Sequence, residues 1–189
     1  TVARPRSIRT IENMTTLNNL RVLRLDNNEI ATITGLETLT KLRELDLSFN
    51  RITAISGLAT LTALTDISLY HNRISSLDNL DGQVGSLECL SIGRNEISDE
   101  RNLIYLRRFH KLRVLCMEGN FKSVDSSDVR GSTIALLPSL LYLDYLLITD
   151  SERKTAQETH HRLVSDLSDA ATGKGAGAAG VGAGARTLS

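Results

Sequence analysis

Tryptophan is absent from this chain, and only three phenylalanines and four tyrosines stand among its 189 residues. Any core must therefore be built from aliphatic side chains. Cysteine is scarce too. Cys89 and Cys116 cannot form the disulfide framework of a small secreted domain, so a reducing, cytosolic compartment is the simplest expectation. No charge of one sign predominates. The 22 Lys+Arg balance 22 Asp+Glu, which counts against a nucleic-acid partner. No apolar run approaches the roughly 18–20 residues of a membrane-spanning helix, so no membrane partner is expected. No secretory signal is visible, but the chain does not begin with Met, which leaves a removed leader open.

Catalytic signatures are missing as well. There is no Gly-x-x-x-x-Gly-Lys-Ser/Thr loop and no His-Glu-x-x-His pair. His160 and His161 are adjacent, about 100° apart on a helix, a poor arrangement for shared metal ligation. Cys89 and Cys116 lack Cys-x-x-Cys spacing, and they are read as occupying small niches at non-adjacent strand positions. No catalytic residue, cofactor or metal is expected, and the chain reads as a non-enzymatic surface that holds other proteins.

What the sequence does contain is a repeat. The pattern Leu-x-x-Leu-x-Leu-x-x-Asn-x-Ile occurs as Leu20, Leu23, Leu25, Asn28, Ile30. It recurs around Asn50, Asn72 and Asn95, and breaks after Asn120. The steps between asparagines are 22, 22, 23 and 25. Leu-x-Leu has the period of a strand with both leucines inward. The apolar residues that follow at threes (Ile33, Leu36, Leu39; then Ile55, Leu58, Leu61) suit a tight 3₁₀ or helical return. One copy cannot bury its own apolar edge; a stack of copies can. The expected fold is an α/β solenoid, a right-handed curved leucine-rich-repeat array. Short parallel strands line its concave face and helical or 3₁₀ segments its convex face. Asn28, Asn50, Asn72, Asn95 and Asn120 are read as a structural ladder whose amides satisfy backbone groups of neighbouring repeats.

Three segments are expected: a repeat domain with its cap over 1–148, a helix over 149–168 and a flexible Gly/Ala-rich tail over 169–189. Ile8, Ile11, Met14 and Leu17 match Ile30, Ile33, Leu36 and Leu39 shifted by 22, so the chain is read as starting within a repeat, with more of the array upstream. Residues 99–109 read as a true convex helix with Leu103, Leu106 and Phe109 inward, and 121–132 as a polar insertion. Residues 136–144 read as a closing cap. Thr149 and Glu152 have capping-box spacing, with Leu163 and Leu167 on one face of the helix behind them.

The strand positions between the core leucines define the concave columns. Glu44, Asp46 and Asp66 fall together as an acidic cluster, with Phe49 and Tyr70 beside it at positions that the repeat does not bury. An aromatic anchor inside a polar rim is the composition of an interface hot spot. Asp46, Phe49, Asp66, Tyr70 and Arg94 are therefore the expected protein-binding residues. The plainer readings are that Phe49 packs along the loop edge and that the acids are a solvated face. Arg94, Arg101, Arg107, Arg108, Lys111 and Arg113 form a second candidate, a basic cluster facing an acidic partner or merely solvent.

The 22-residue repeats with Asn-x-Ile-x-x-Ile resemble the protein-phosphatase-regulator subclass of leucine-rich repeats. Three stretches sharpen the likeness: Leu25–Asn28 with Leu45–Asn50, Asn102–Arg113 and Tyr142–Tyr145 with Ile148. Together they resemble the leucine-rich-repeat subunits of the nexin–dynein regulatory complex. That resemblance implies a scaffold in the cytoskeleton of the cytoplasm, on axonemal doublet microtubules of a cilium or flagellum. Such a scaffold regulates dynein-driven motility within a hetero-oligomeric complex. Implied partners are coiled-coil subunits of that complex, with inner-arm dynein or tubulin as further candidates. The alternative within the same fold is a regulatory subunit clamping a protein phosphatase catalytic subunit.

Overall fold

In the computed structural model, residues 7–121, 128–162 and 164–165 are described. Leu163, Leu167 and the Gly/Ala-rich tail lie outside them, as do residues 122–127 of the expected insertion. Seven strands form one sheet in chain order: β1 (Val22–Arg24), β2 (Glu44–Asp46), β3 (Asp66–Ser68), β4 (Cys89–Ser91), β5 (Val114–Cys116), β6 (Tyr142–Leu143) and β7 (Leu146–Leu147). Pairing is parallel from β1 to β6, and β7 closes the sheet antiparallel to β6. The helices are α1 (Arg101–Leu106), α2 (Val129–Leu136) and α3 (Asp150–Thr159). This is the leucine-rich-repeat solenoid expected from the spacing.

The register follows from the repeat. Leu23, Leu45, Ile67, Leu90 and Leu115 pair in succession, so each inward leucine or isoleucine stacks on its counterpart one repeat away. Ile30, Ile33, Leu36, Leu39 and Leu42 and their later equivalents are essentially inaccessible and fill the space behind the strands. Each such side chain contributes roughly 1.5–3 kcal/mol of transfer free energy. At the N-terminal edge Ile11 is buried, whereas Ile8 and Leu17 are exposed.

The asparagines join the layers. Asn72 accepts the Ile52 N–H at 2.9 Å and donates to the carbonyls of Leu47 and Leu69, both at 3.0 Å. Asn50 and Asn95 do the same between their own pairs of repeats. Asn28 reaches back to the N–H of Ile8, and Asn120 to that of Ile97.

Two further columns have left-handed backbone. Asn13, Gly35, Gly57 and Asn79 recur at intervals of 22 with φ between 62° and 75°. Glycine and asparagine are the residues that adopt this region at least cost. The second column, immediately before the ladder asparagines, is Asn27, Phe49, His71, Arg94 and Gly119. Here three bulky side chains occupy the same strained geometry.

The convex returns differ from regular 3₁₀ helices. In the first and second repeats they are successive i→i+3 turns, such as Leu61 N–H to Leu58 O and Leu64 N–H to Leu61 O. A single 3₁₀ turn forms at Asp81–Gln83. The longer fourth return becomes α1, with Leu103, Leu106 and Phe109 buried as its spacing predicts. Gln83 stands 22 residues after Leu61 and is fully buried. Its amide donates to the Leu58 and Leu61 carbonyls, which the turn N–H groups already satisfy. Among the described residues its Oε1 is buried without a partner. Replacing Gln83 with leucine removes that orphan and creates no new one. The expected result is a gain of about 1 kcal/mol in thermal or denaturant unfolding; a loss of stability would contradict it.

The polar insertion expected over 121–132 gives way to α2 from Val129 on. Asp128 caps it, accepting the Gly131 N–H at 2.7 Å, and Thr133–Leu136 turn into the core. His160 lies 3.0 Å from the Asp128 carboxylate and, with the Gly131 N–H, holds its pKa below the ordinary carboxylate value. Thr149 caps α3 by accepting the Glu152 N–H, and Arg130 grips the Glu152 carboxylate at 2.7 and 3.3 Å. Arg153 donates to the carbonyls of Pro138 and Leu140. These bonds seat α3 on the cap, with Ala156 buried beneath it.

Candidate interaction surface on the concave face

The first and third residues of each strand face the concave side. Parallel pairing aligns Val22, Glu44, Asp66, Cys89, Val114 and Tyr142 in one row and Arg24, Asp46, Ser68, Ser91 and Cys116 in the next. Glu44, Asp46 and Asp66 come together around a depression of about 270 Å³, whose lining includes Arg24. Phe49 and Tyr70 lie with ring centroids 5.7 Å apart, and the Arg94 guanidinium sits 6.0 Å from the Tyr70 centroid. The five residues singled out from the sequence thus fall into two neighbouring groups, one acidic and one aromatic.

The two aromatics differ in situation. Phe49 is 45% exposed and stacks on His71 at 5.0 Å, along the loop edge. His71 was not among the expected residues, although it follows Phe49 by 22 in the same column. Tyr70 has structural work that the sequence reading did not give it. The next residue of its row is Gly93, where an added Cβ would stand 2.8 Å from the Tyr70 ring. The ring therefore lies across Gly93, and its hydroxyl donates to Glu118 at 2.9 Å, two repeats away.

Burial first, and then the hydrogen bond to Glu118, raise the Tyr70 phenol above its ordinary value. A pKa raised on folding means that this contribution to stability is complete below the unfolded value, about 10, and is lost as pH climbs through the folded one. Glu118→Gln removes the carboxylate charge, so Tyr70 should ionise at lower pH than in the wild type when followed by NMR of ring-labelled tyrosine. An unmoved titration would contradict the bond.

The basic cluster does not form one patch. Arg101 pairs with Asp99, Arg108 pairs with Asp81 and lies over Tyr105, and Arg113 donates to the carbonyls of His110, Leu112 and Ser139. Arg94 projects on the concave side instead. The cysteines occupy adjacent strands, β4 and β5, rather than non-adjacent positions. Burial, and next the Asp66 charge, push the Cys89 thiol above its ordinary value, away from thiolate chemistry. Among the described residues no cluster of His, Cys, Asp or Glu is arranged to hold a metal ion.

A curved parallel sheet with an asparagine ladder and an open concave face is the leucine-rich-repeat fold, and residues 40–82 match the family described as Leucine Rich repeats (2 copies). Among curated proteins the chain is similar to dynein regulatory complex subunit 3, with 47% identity to that of Homo sapiens and 46% to that of Rattus norvegicus, each over 66 residues. The match takes in 35% of this chain and spans 12% of the length of either relative. The resemblance read from the repeats and the cap is thus to a subunit of the same regulatory complex. Among solved structures, the crystal structure of the Drosophila melanogaster SNF/U2A′ complex contains a chain similar to this one. The TM-score is 0.54 at 25% identity, covering 87% of this chain and 83% of that one.

Proposed function

We propose that this chain is the repeat domain of a dynein regulatory complex subunit. It works as a non-catalytic scaffold in the axoneme of a cilium or flagellum, and its concave face holds another protein of that assembly. The observation that carries this reading is the 47% identity to dynein regulatory complex subunit 3. The partners are coiled-coil subunits of the complex, with inner-arm dynein or tubulin as further candidates, and the consequence is control of dynein-driven motility at the nexin link.

Within that reading Asp46, Phe49, Asp66, Tyr70 and Arg94 contact the partner. The left-handed Phe49 supports its place in the set, because a bulky residue in that conformation costs stability, and asparagine serves the same turn one repeat earlier. Phe49→Asn copies Asn27. It should leave unfolding stability within about 1 kcal/mol, since relief of backbone strain offsets the lost stacking on His71.

The test is affinity capture of the tagged full-length protein from flagellated cells, wild type beside Phe49→Asn. Regulatory-complex subunits should accompany the wild type and fall severalfold with the variant. Equal recovery would move the contact to another face. Capture of a phosphatase catalytic subunit in their place would replace the proposal with the phosphatase-clamp alternative.

A further inference from the structure

The concave face changes character along its length. Over β2 and β3, Glu44, Asp46 and Asp66 outnumber the lone guanidinium of Arg24 in the depression, so three negative charges meet one positive. Two of these carboxylates are held in place by local bonds: Asp46 accepts the Ser48 N–H and Asp66 the Thr65 hydroxyl. Over β4 the floor is small and uncharged, made of Cys89 and Ser91, with the Tyr70 ring lying across Gly93 beside it. Beyond it, past the Glu118 carboxylate that the Tyr70 hydroxyl engages, the face turns apolar.

Tyr142 extends the row of Val114 and is exposed. Tyr142 pairs directly with Leu147 across the closing hairpin, and directly opposed residues share a face, so Leu147 joins Tyr142 on the concave side with 57% of its surface exposed. Leu146 shares the face of buried Leu143 but hangs beyond the last core layer, 61% exposed. Exposed apolar side chains gathered at one end of a groove mark a contact surface rather than a scatter of surface leucines.

Dimensions and backbone chemistry select the occupant. Three-residue strands give a floor about 10 Å wide, the diameter of one α-helix. From β2 to β7 there are five strand spacings of about 4.8 Å, roughly 24 Å, the length of about 16 helical residues. The backbone groups of the floor are already spent on sheet pairing from strand to strand. An extended segment laid across them would bury its own N–H and C=O groups unpaired, whereas a helix satisfies its own. Charge complementarity then sets its direction.

We propose that the concave face receives one amphipathic helix of a partner protein, with lysine or arginine side chains over β2–β3 and leucine-type side chains over β5–β7. This rests on the concave face being the docking surface, and adds the partner's shape, polarity and direction.

The probe is a displayed library of 16-residue helix-forming peptides selected on the full chain, with the recovered peptides labelled and titrated by fluorescence anisotropy. Recovered sequences should be basic at one end and apolar at the other. Their affinity should fall at least tenfold with Glu44→Lys/Asp66→Lys, and at least tenfold with Tyr142→Ser/Leu147→Ser. Unchanged melting curves would establish that both variants fold. Peptides that lose affinity with Tyr142→Ser/Leu147→Ser but carry no basic end would overturn the polarity while leaving concave docking intact. Peptides indifferent to both variants would overturn concave docking as well. A selection that recovers no helix-forming peptide also overturns the proposal.

Discussion

Asn72→Ala is expected to destabilise the solenoid by about 3–5 kcal/mol, a large part of the 5–15 kcal/mol that holds a typical domain together. The side chain is 7% exposed and bonded on both sides of a repeat boundary. Its loss leaves the Ile52 N–H without its acceptor and strips a donor from the Leu47 and Leu69 carbonyls. The N–H left unpaired costs about 1–3 kcal/mol and each lost bond to the two carbonyls, which keep the Asn50 and Asn95 amides, about 1 kcal/mol, and water cannot enter between stacked leucines to replace the amide. Asn72→Asp keeps the size and the acceptor, but it removes the donated bonds and buries a charge, so it should be at least as damaging. For a chain of this length the alanine variant should melt roughly 10 °C lower. Exposed Asn18→Ala provides the control, with a change within about 0.5 kcal/mol. A loss under 1 kcal/mol at Asn72 would mean that the ladder bonds contribute little.

The second large effect is expected at Gly57. Its φ of 65° is left-handed, and an added Cβ would lie 2.7 Å from the carbonyl oxygen of Ile33 in the preceding repeat. Gly57→Ala meets two penalties. The conformation costs about 1–2 kcal/mol for an L-residue, and the close oxygen belongs to backbone that cannot move without separating two repeats. A total of about 2–4 kcal/mol follows, read as a shift in the denaturant midpoint at unchanged slope. Gly85 is the matched control, because a Cβ there meets nothing within 4 Å. Equal costs at Gly57 and Gly85 would dismiss the geometric argument.

These two sites also show what the sequence made legible. The ladder could be placed by counting, because a buried residue repeated at 22 leaves a period that no single residue hides. The inward leucines and the α1 face, with Leu103, Leu106 and Phe109 at threes, were legible for the same reason. The left-handed columns were half legible. Asn13, Gly35, Gly57 and Asn79 share the one preference that betrays such a backbone, whereas Phe49, His71 and Arg94 conceal it behind residue types that do not favour it.

On the candidate surface, the acidic group around Glu44 and Asp66 could be read from columns. The path of Tyr70 over Gly93 to Glu118 could not, since it depends on which way one ring leans along the sheet. Nor was the exposed hairpin at Leu146–Leu147 anticipated. A run of leucines beside a cap reads as core until the pairing of Tyr142 with Leu147 shows it standing outside the last layer. The basic cluster was less legible. Its members are near in sequence, but Arg101 pairs with neighbouring Asp99, while Arg108 and Arg113 reach Asp81 and Ser139 in other repeats.

The central claim is that the concave face holds a partner, and site-specific photo-crosslinking in flagellated cells tests it most directly. A photoreactive residue would replace Ser91, on the floor of β4, or Thr60, exposed on the convex return. An adduct is expected between position 91 and another subunit of the regulatory complex, with none from position 60. An adduct from position 60 and none from 91 would contradict the claim and assign the docking to the convex side.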